Sequence, residues 1–222
     1  MANLTIINFH GIGEPPDWVD SDERPYWITV PQFEEIIAIA SRYRDEVQIT
    51  FDDGNASDHD IAFPRLVQAR LKGDFFFLTG RIDTPAYVSR AQIHTMFQAG
   101  MGVGLHGHAH VDWRSLGSED ADLELRTARS ELSSIIDAPV DRVAIPFGKY
   151  NRQVIKRLRR EGFLQVFTSD GGRTRPGAWL SPRFSVRADT LPTELVDLIR
   201  RGPPIGSMVR RFASMSLRRH LI

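Results

Sequence analysis

Thr50-Phe51-Asp52-Asp53-Gly54 places two carboxylates side by side directly after an apolar run. Like charges that close repel, and burial raises the cost, so the pair calls for a cation nearby. Successive side chains on a strand point to opposite faces, so both acids can reach one site only where the strand ends. Gly54 permits such a turn. The plain alternative is a solvated Asp-Gly turn. A second cluster, His106-Gly107-His108-Ala109-His110, holds three of the seven histidines. Neutral imidazole is the commonest ligand for zinc and similar metals. An extended chain would put all three rings on one face, whereas a helical turn would pair His106 with His110 and send His108 elsewhere. Spacing leaves both geometries open, though Gly107 disfavours a regular helix. The alternative here is a solvated polar loop. One carboxylate with two imidazoles leaves a coordination position open, the pattern of a hydrolytic metal site.

Both clusters follow strand-like segments. Short apolar runs rich in Val, Ile and Phe occur at 5–9, 47–51, 73–78, 103–106, 143–145, 165–168 and 180–186, as in buried parallel strands. Helix-like stretches lie between them at 32–43, 61–71, 92–98, 119–136, 152–161 and 193–201. Thr29 with Gln32 has the spacing of a capping box, and Ser89 reads as the cap of the third helix. Repeated β-then-α units predict a parallel sheet, either doubly wound or closed as a β/α barrel. In both, strand C-terminal ends share one face, so the two clusters should meet there. The stretch 13–31 is a long loop carrying Trp18, Tyr26 and Trp27, and loops of that length usually serve a function or are disordered.

Composition narrows the possibilities. The 222 residues suffice for one domain, and a formal net charge of zero argues against a nucleic-acid partner. Without cysteine there is no disulfide or thiolate site, so a transition metal must be held by His and carboxylate. The first ten residues do not resemble a signal peptide and no window suggests a membrane span, which makes a cytoplasmic location the default expectation.

The two motifs together resemble those of the polysaccharide deacetylase family, carbohydrate esterases with a NodB-type domain. Thr50–Gly54 is similar to the family's first motif, and Gly104-Leu105-His106-Gly107-His108-Ala109-His110 to its second. Ile145-Pro146-Phe147-Gly148 with Lys149-Tyr150 resembles the third, a groove wall, and the likeness runs from about Thr5 to Val186. The resemblance implies an α/β fold, a distorted (β/α) barrel with about seven parallel strands. Residues 1–200 would form the catalytic domain and 201–222 a basic tail or helix. It implies a metal-dependent hydrolase that removes N-acetyl groups from an amino-sugar glycan. Asp53, His106 and His110 would hold the metal, leaving His108 outside, and Asp52 would be the base. Zn2+ is the expected ion, and the same donors also accept Co2+, Ni2+ or Mn2+. An O-acetyl esterase, or a metal- or glycan-binding protein that has lost catalysis, are the alternatives.

Two departures from the family pattern bear on mechanism. Where the family carries an arginine that pairs with the base, this chain has Ala144, so Arg183 or Arg187 would have to replace it. The family's final histidine, its general acid, has no counterpart, which leaves His10 at the end of the first strand as the candidate acid. Pro146, Phe147, Gly148, Tyr150, Trp18, Trp27 and Arg183 are expected to contact an acetylated glycan, with aromatic faces stacking on sugar rings. A backbone N–H of the Phe147–Tyr150 loop would hold the oxyanion. Arg200, Arg201, Arg210, Arg211, Arg218 and Arg219 alternate with apolar residues, so the tail is expected either to lie on an anionic membrane or to dock on the barrel.

Overall fold

A computed structural model describes residues 4–202. Eight strands form one barrel-like sheet: β1 (Leu4–Phe9), β2 (Val47–Phe51), β3 (Gly73–Phe77), β4 (Gly102–Leu105), β5 (Arg142–Ala144), β6 (Gln165–Thr168), β7 (Leu180–Pro182) and β8 (Phe184–Ser185). They are hydrogen-bonded in the order β7-β6-β5-β4-β3-β2-β1-β8, all parallel. A short antiparallel strand, Arg173–Thr174, also pairs with β1. The two edge strands are consecutive in the chain and separated by Arg183 alone. The expected strand 180–186 is therefore two: its first half pairs with β6, its second with β1, and between them it closes the barrel.

Helices α1 (Val30–Arg42), α2 (Phe63–Ala69), α3 (Arg90–Gln98), α4 (Ser118–Ala121), α5 (Ala128–Ile136), α6 (Arg152–Arg160) and α7 (Pro192–Arg201) lie in the connections. The long helix expected at 119–136 is α4 and α5 joined by a π-helical stretch, Asp122–Thr127. Ser89 makes the full capping box with Gln92. Thr29 caps α1, but Gln32 does not return the bond; its Nε2 donates to Arg187 O and Thr190 O, both at 3.0 Å, and ties α1 to the segment after β8.

Strand alternation sorts the side chains. Ile7, Phe9, Ile49, Phe51, Phe75, Phe77, Val103 and Leu105 belong to the large apolar core. Ile6, Phe76, Ala144 and Phe167 form a separate small cluster, as expected for the other face of the strands, inside the barrel. Above that plug the same face turns polar, with Asn8, Thr50 and Asp52. Among the described residues no helix is long and apolar enough to cross a membrane. Most of the basic tail, 203–222, lies outside the described residues.

Candidate active site

β2 ends at Phe51, and Asp53 takes a left-handed φ of +79°. That conformation is more accessible to Asp than to most side chains, and it lets adjacent carboxylates serve one site. His110 and Phe147, on the loops after β4 and β5, are also left-handed, at φ +56° and +57°. Such backbone conformations cluster at functional sites.

Asp53 Oδ1 lies 3.6 Å from both His106 Nε2 and His110 Nε2. One donor atom from each of the three residues falls within 4.8 Å of the others, so the set can hold a metal ion. Two further observations fit that use. Asp53 Oδ1 is buried with no hydrogen-bond partner among the described residues. His106 Nδ1 is 2.9 Å from Ala144 O; a carbonyl only accepts, so Nδ1 carries the hydrogen and the Nε2 lone pair faces Asp53. Burial pushes His110 down to about 4, against the opposing pull of Asp53, so its ring is neutral and able to ligate at pH 7.

Asp52 sits beneath this set, buried, with Oδ2 3.9 Å from His106 Nε2. Arg183 reaches it through the barrel interior with two parallel bonds, Nη1 to Oδ1 and Nη2 to Oδ2, both 2.7 Å. Asn8 Nδ2 adds a third at 3.0 Å, while Asn8 Oδ1 accepts from Arg183 and Thr50. Burial pushes the Asp52 carboxyl up, but the Arg183 charge, His106 and the Arg183 hydrogen bonds outweigh it and hold the group well below the usual carboxylate range. The guanidinium also lies over Phe76 and Phe167, 5.5 and 5.8 Å from the ring centres. Ala144 belongs to the same interior cluster, so its small side chain leaves room where the family pattern has an arginine. Arg183, expected to contact the glycan, is fully buried beneath Asp52 and does not line the cleft. Arg187 lies over Tyr26 and pairs with Asp189 instead.

The histidine loop is braced by Glu124, which the sequence reading did not single out. Its carboxylate, 2% exposed, accepts from His108 N at 2.9 Å, Ala109 N at 2.8 Å and Trp113 Nε1 at 3.1 Å. Gly107 has φ +96°, and a Cβ there would come within 2.3 Å of Glu124 Oε2. His108 turns away and pairs with Thr79 Oγ1 at 2.9 Å. Glu124→Leu would strand these donors; each buried unsatisfied N–H costs about 1–3 kcal/mol. A clear drop in the urea midpoint is expected, and a wild-type midpoint would show that the brace is dispensable.

The polysaccharide deacetylase family model matches residues 41–166, more than half of the chain. The chain belongs to that family. YxkH of Bacillus subtilis (strain 168) is 23% identical over 126 residues, 57% of this chain and 45% of that protein, so the match spans less than half the length of that relative. Among solved structures, the Streptococcus pyogenes deacetylase PplD, in complex with acetate, superimposes with a TM-score of 0.77 at 18% identity, covering 89% of this chain and 98% of its own. A de-N-acetylase from Aggregatibacter actinomycetemcomitans gives 0.71 at 13% identity, covering 88% and 99%. At these identities the structures establish the fold, which is the NodB-type barrel of this deacetylase family.

Around the polysaccharide deacetylase motifs lies a cleft of about 620 Å³. Asp52, Asp53, His106, His110, His10, Trp18, Trp27 and Phe147 all line it. Trp18 is 49% exposed and leans on Tyr87, while Trp27 lies against Gly11, where any Cβ would collide with the indole. Phe147 is half-exposed and packs against His110 at a tilt of 33°, ring centres 4.2 Å apart. Pro146, Gly148 and Tyr150 are buried and do not line the cleft. Tyr150 OH donates to Asp170 Oδ2 at 2.7 Å, which also accepts from Thr168. The N–H groups of Gly148 and Lys149 donate to Ile145 O and Pro146 O, so they are not available as the oxyanion donors expected of this loop. His10 packs against Tyr26 at 4.9 Å and its buried Nδ1 has no hydrogen-bond partner among the described residues. Burial lowers its pKa, against the opposing charges of Asp53 and Asp52, with Arg183 and His106 adding to the fall.

Proposed function

We propose that this chain is a metal-dependent hydrolase that removes N-acetyl groups from an amino-sugar oligosaccharide or polysaccharide. The observation that carries the reading is the convergence of Asp53, His106 and His110 beside an arginine-paired Asp52 at the floor of an aromatic-rimmed cleft. Its volume suits a few sugar rings, since small-molecule sites span roughly 300–1,000 Å³. Asp53 Oδ1 and the Nε2 atoms of His106 and His110 would hold the ion, with zinc first among the candidates. A divalent transition metal supplies Lewis acidity there, lowering the pKa of water and polarising an acyl oxygen. Asp52, kept ionised by Arg183, accepts the proton of the attacking water. His10 donates a proton to the departing nitrogen, and Trp18, Trp27 and Phe147 offer faces to the sugar rings. Support for an N-acetyl substrate comes from the neighbour described as a de-N-acetylase.

Acetate release from N-acetylglucosamine oligomers, with zinc-loaded and chelated protein side by side, tests this. No acetate above the Asp52→Asn control on any oligomer would end the reading.

One observation favours a second reading, O-acetyl ester hydrolysis. Burial lowers the pKa of His10 and so disfavours the protonated ring that an amine leaving group needs, whereas an alkoxide leaves with less help. His10→Phe should therefore reduce kcat on an N-acetyl substrate by about 10²–10⁴-fold, the usual contribution of a general acid. It should slow an O-acetyl substrate far less. Equal losses on both would remove His10 from the acid role.

A further inference from the structure

Both candidate metal ligands present Nε2 to Asp53, so each has Nδ1 left for an outer partner. Ligating imidazoles almost always give that N–H to a carboxylate or carbonyl, which fixes the ring and raises its basicity. His106 gives it to Ala144 O. No hydrogen bond holds His110 Nδ1 among the described residues; the carboxylate opposite it is Glu23, with Oε1 3.9 Å away. That is too long for a direct bond, and a shift of about 1 Å would close it.

Glu23 is not on a free strand of chain. Arg24 folds its own segment together, with Nε donating to Val19 O at 3.1 Å and Nη2 to Pro16 O at 3.3 Å and Asp17 O at 3.5 Å. The N–H groups of Glu23 and Arg24 both donate to Asp20 O. This one braced unit carries Trp18 to the cleft rim, Glu23 to His110 and Tyr26 to His10. Phe147 also packs against the His110 ring, centres 4.2 Å apart.

We propose that Glu23 is the positioning residue of His110: its carboxylate accepts the Nδ1–H and orients the ring toward the ion, so the glycan-facing segment 16–26 completes the metal centre. The proposal rests on the metal-dependent reading above. It also links two events, because whatever draws the segment inward favours the ion and the ion favours the closed segment, by the reciprocity of coupled equilibria.

The test is zinc affinity of the full chain, read by competition with a chromophoric chelator and without any turnover. Glu23→Ala should weaken zinc binding by about 10–100-fold, the usual effect of losing such a partner. Glu23→Gln, whose side-chain carbonyl still accepts Nδ1–H, should recover most of it. Arg24→Ala, which loosens the segment without touching the centre, should weaken binding by a smaller factor. Glu23 is partly exposed, so these variants should keep the wild-type unfolding midpoint. Wild-type zinc affinity in Glu23→Ala overturns the proposal. So does a Gln variant as weak as the Ala variant, since charge alone would then be responsible. A wild type that binds zinc but releases no acetate ends the deacetylase reading and leaves this one to its own result. A wild type that binds no zinc overturns both.

Discussion

Arg183→Met should lose roughly 3–5 kcal/mol of stability at neutral pH, the usual consequence of breaking a buried ion pair from one side. Methionine fills much of the space between Phe76 and Phe167, so the loss is mainly electrostatic. It leaves the Asp52 carboxylate with Asn8 Nδ2 as its one remaining side-chain donor in that network. Domain stabilities of about 5–15 kcal/mol make such a loss visible in any urea titration. The pH dependence gives the effect its signature. In the wild type the folded pKa of Asp52 is depressed below its ordinary 3.8, so its contribution is present above that value and lost as pH falls through the depressed one. In the variant only His106, His10 and the Asn8 hydrogen bond still oppose burial, so the folded pKa rises, and the penalty of the unpaired carboxylate fades as pH falls through the raised value. The gap between the two proteins should therefore narrow as pH falls through the variant's raised value, before the wild type begins to lose its own contribution. Arg183→Lys keeps the charge but cannot form the two parallel bonds, and should fall between them. A gap under about 1 kcal/mol, within the range of ordinary surface substitutions and their neighbours, or one that is constant with pH, would remove the ion pair from its central place.

What the sequence disclosed and what it hid divide along a physical line. Asp52-Asp53 and His106/His110 were visible because each pair is local, and because adjacent acids and spaced histidines are expensive without a shared purpose. The β-then-α rhythm was visible for the same local reason, and it left a doubly wound sheet and a barrel equally open. Closure depends on one chain segment pairing with both sheet edges, a long-range fact, and it converted one expected strand into two around Arg183. Asn8 and Glu124 were hidden likewise. Asn8 sits in an apolar strand and gains meaning only from its register opposite Thr50. Its two-residue offset from His10, matching that of Thr50 from Asp52, was the available clue. Glu124 looked like one more charge on a surface helix, and the π-helical stretch is where it enters the interior. Asp58 is the plainest surprise. It is fully buried, neither carboxylate oxygen has a partner among the described residues, and burial with Asp53 and Asp52 nearby pushes its pKa up. An acid so placed is neutral more readily than its neighbours, which a residue-type count cannot reveal.

Asp52→Asn and Asp53→Asn should both abolish acetate release, for reasons that zinc binding separates. Asparagine at 53 tolerates the left-handed backbone there about as well as aspartate, so the fold is expected to survive. Its neutral amide is a poor ligand, and with two imidazoles left the centre should not retain zinc at micromolar concentrations. Added zinc should restore chelated wild type but not this variant. Asp52→Asn keeps all three donors, so zinc affinity should stay within a few-fold of wild type while kcat falls by about 10²–10⁴, the range for removing a positioned base. It also leaves the Arg183 charge without its counter-ion, so the unfolding midpoint should drop and activity must be assayed well below it. On the proposed mechanism the two adjacent carboxylates would thus depend on the ion in opposite ways, one holding it and the other working beside it. Tight zinc binding by Asp53→Asn, or wild-type turnover by Asp52→Asn, would contradict that division of labour at the residue concerned.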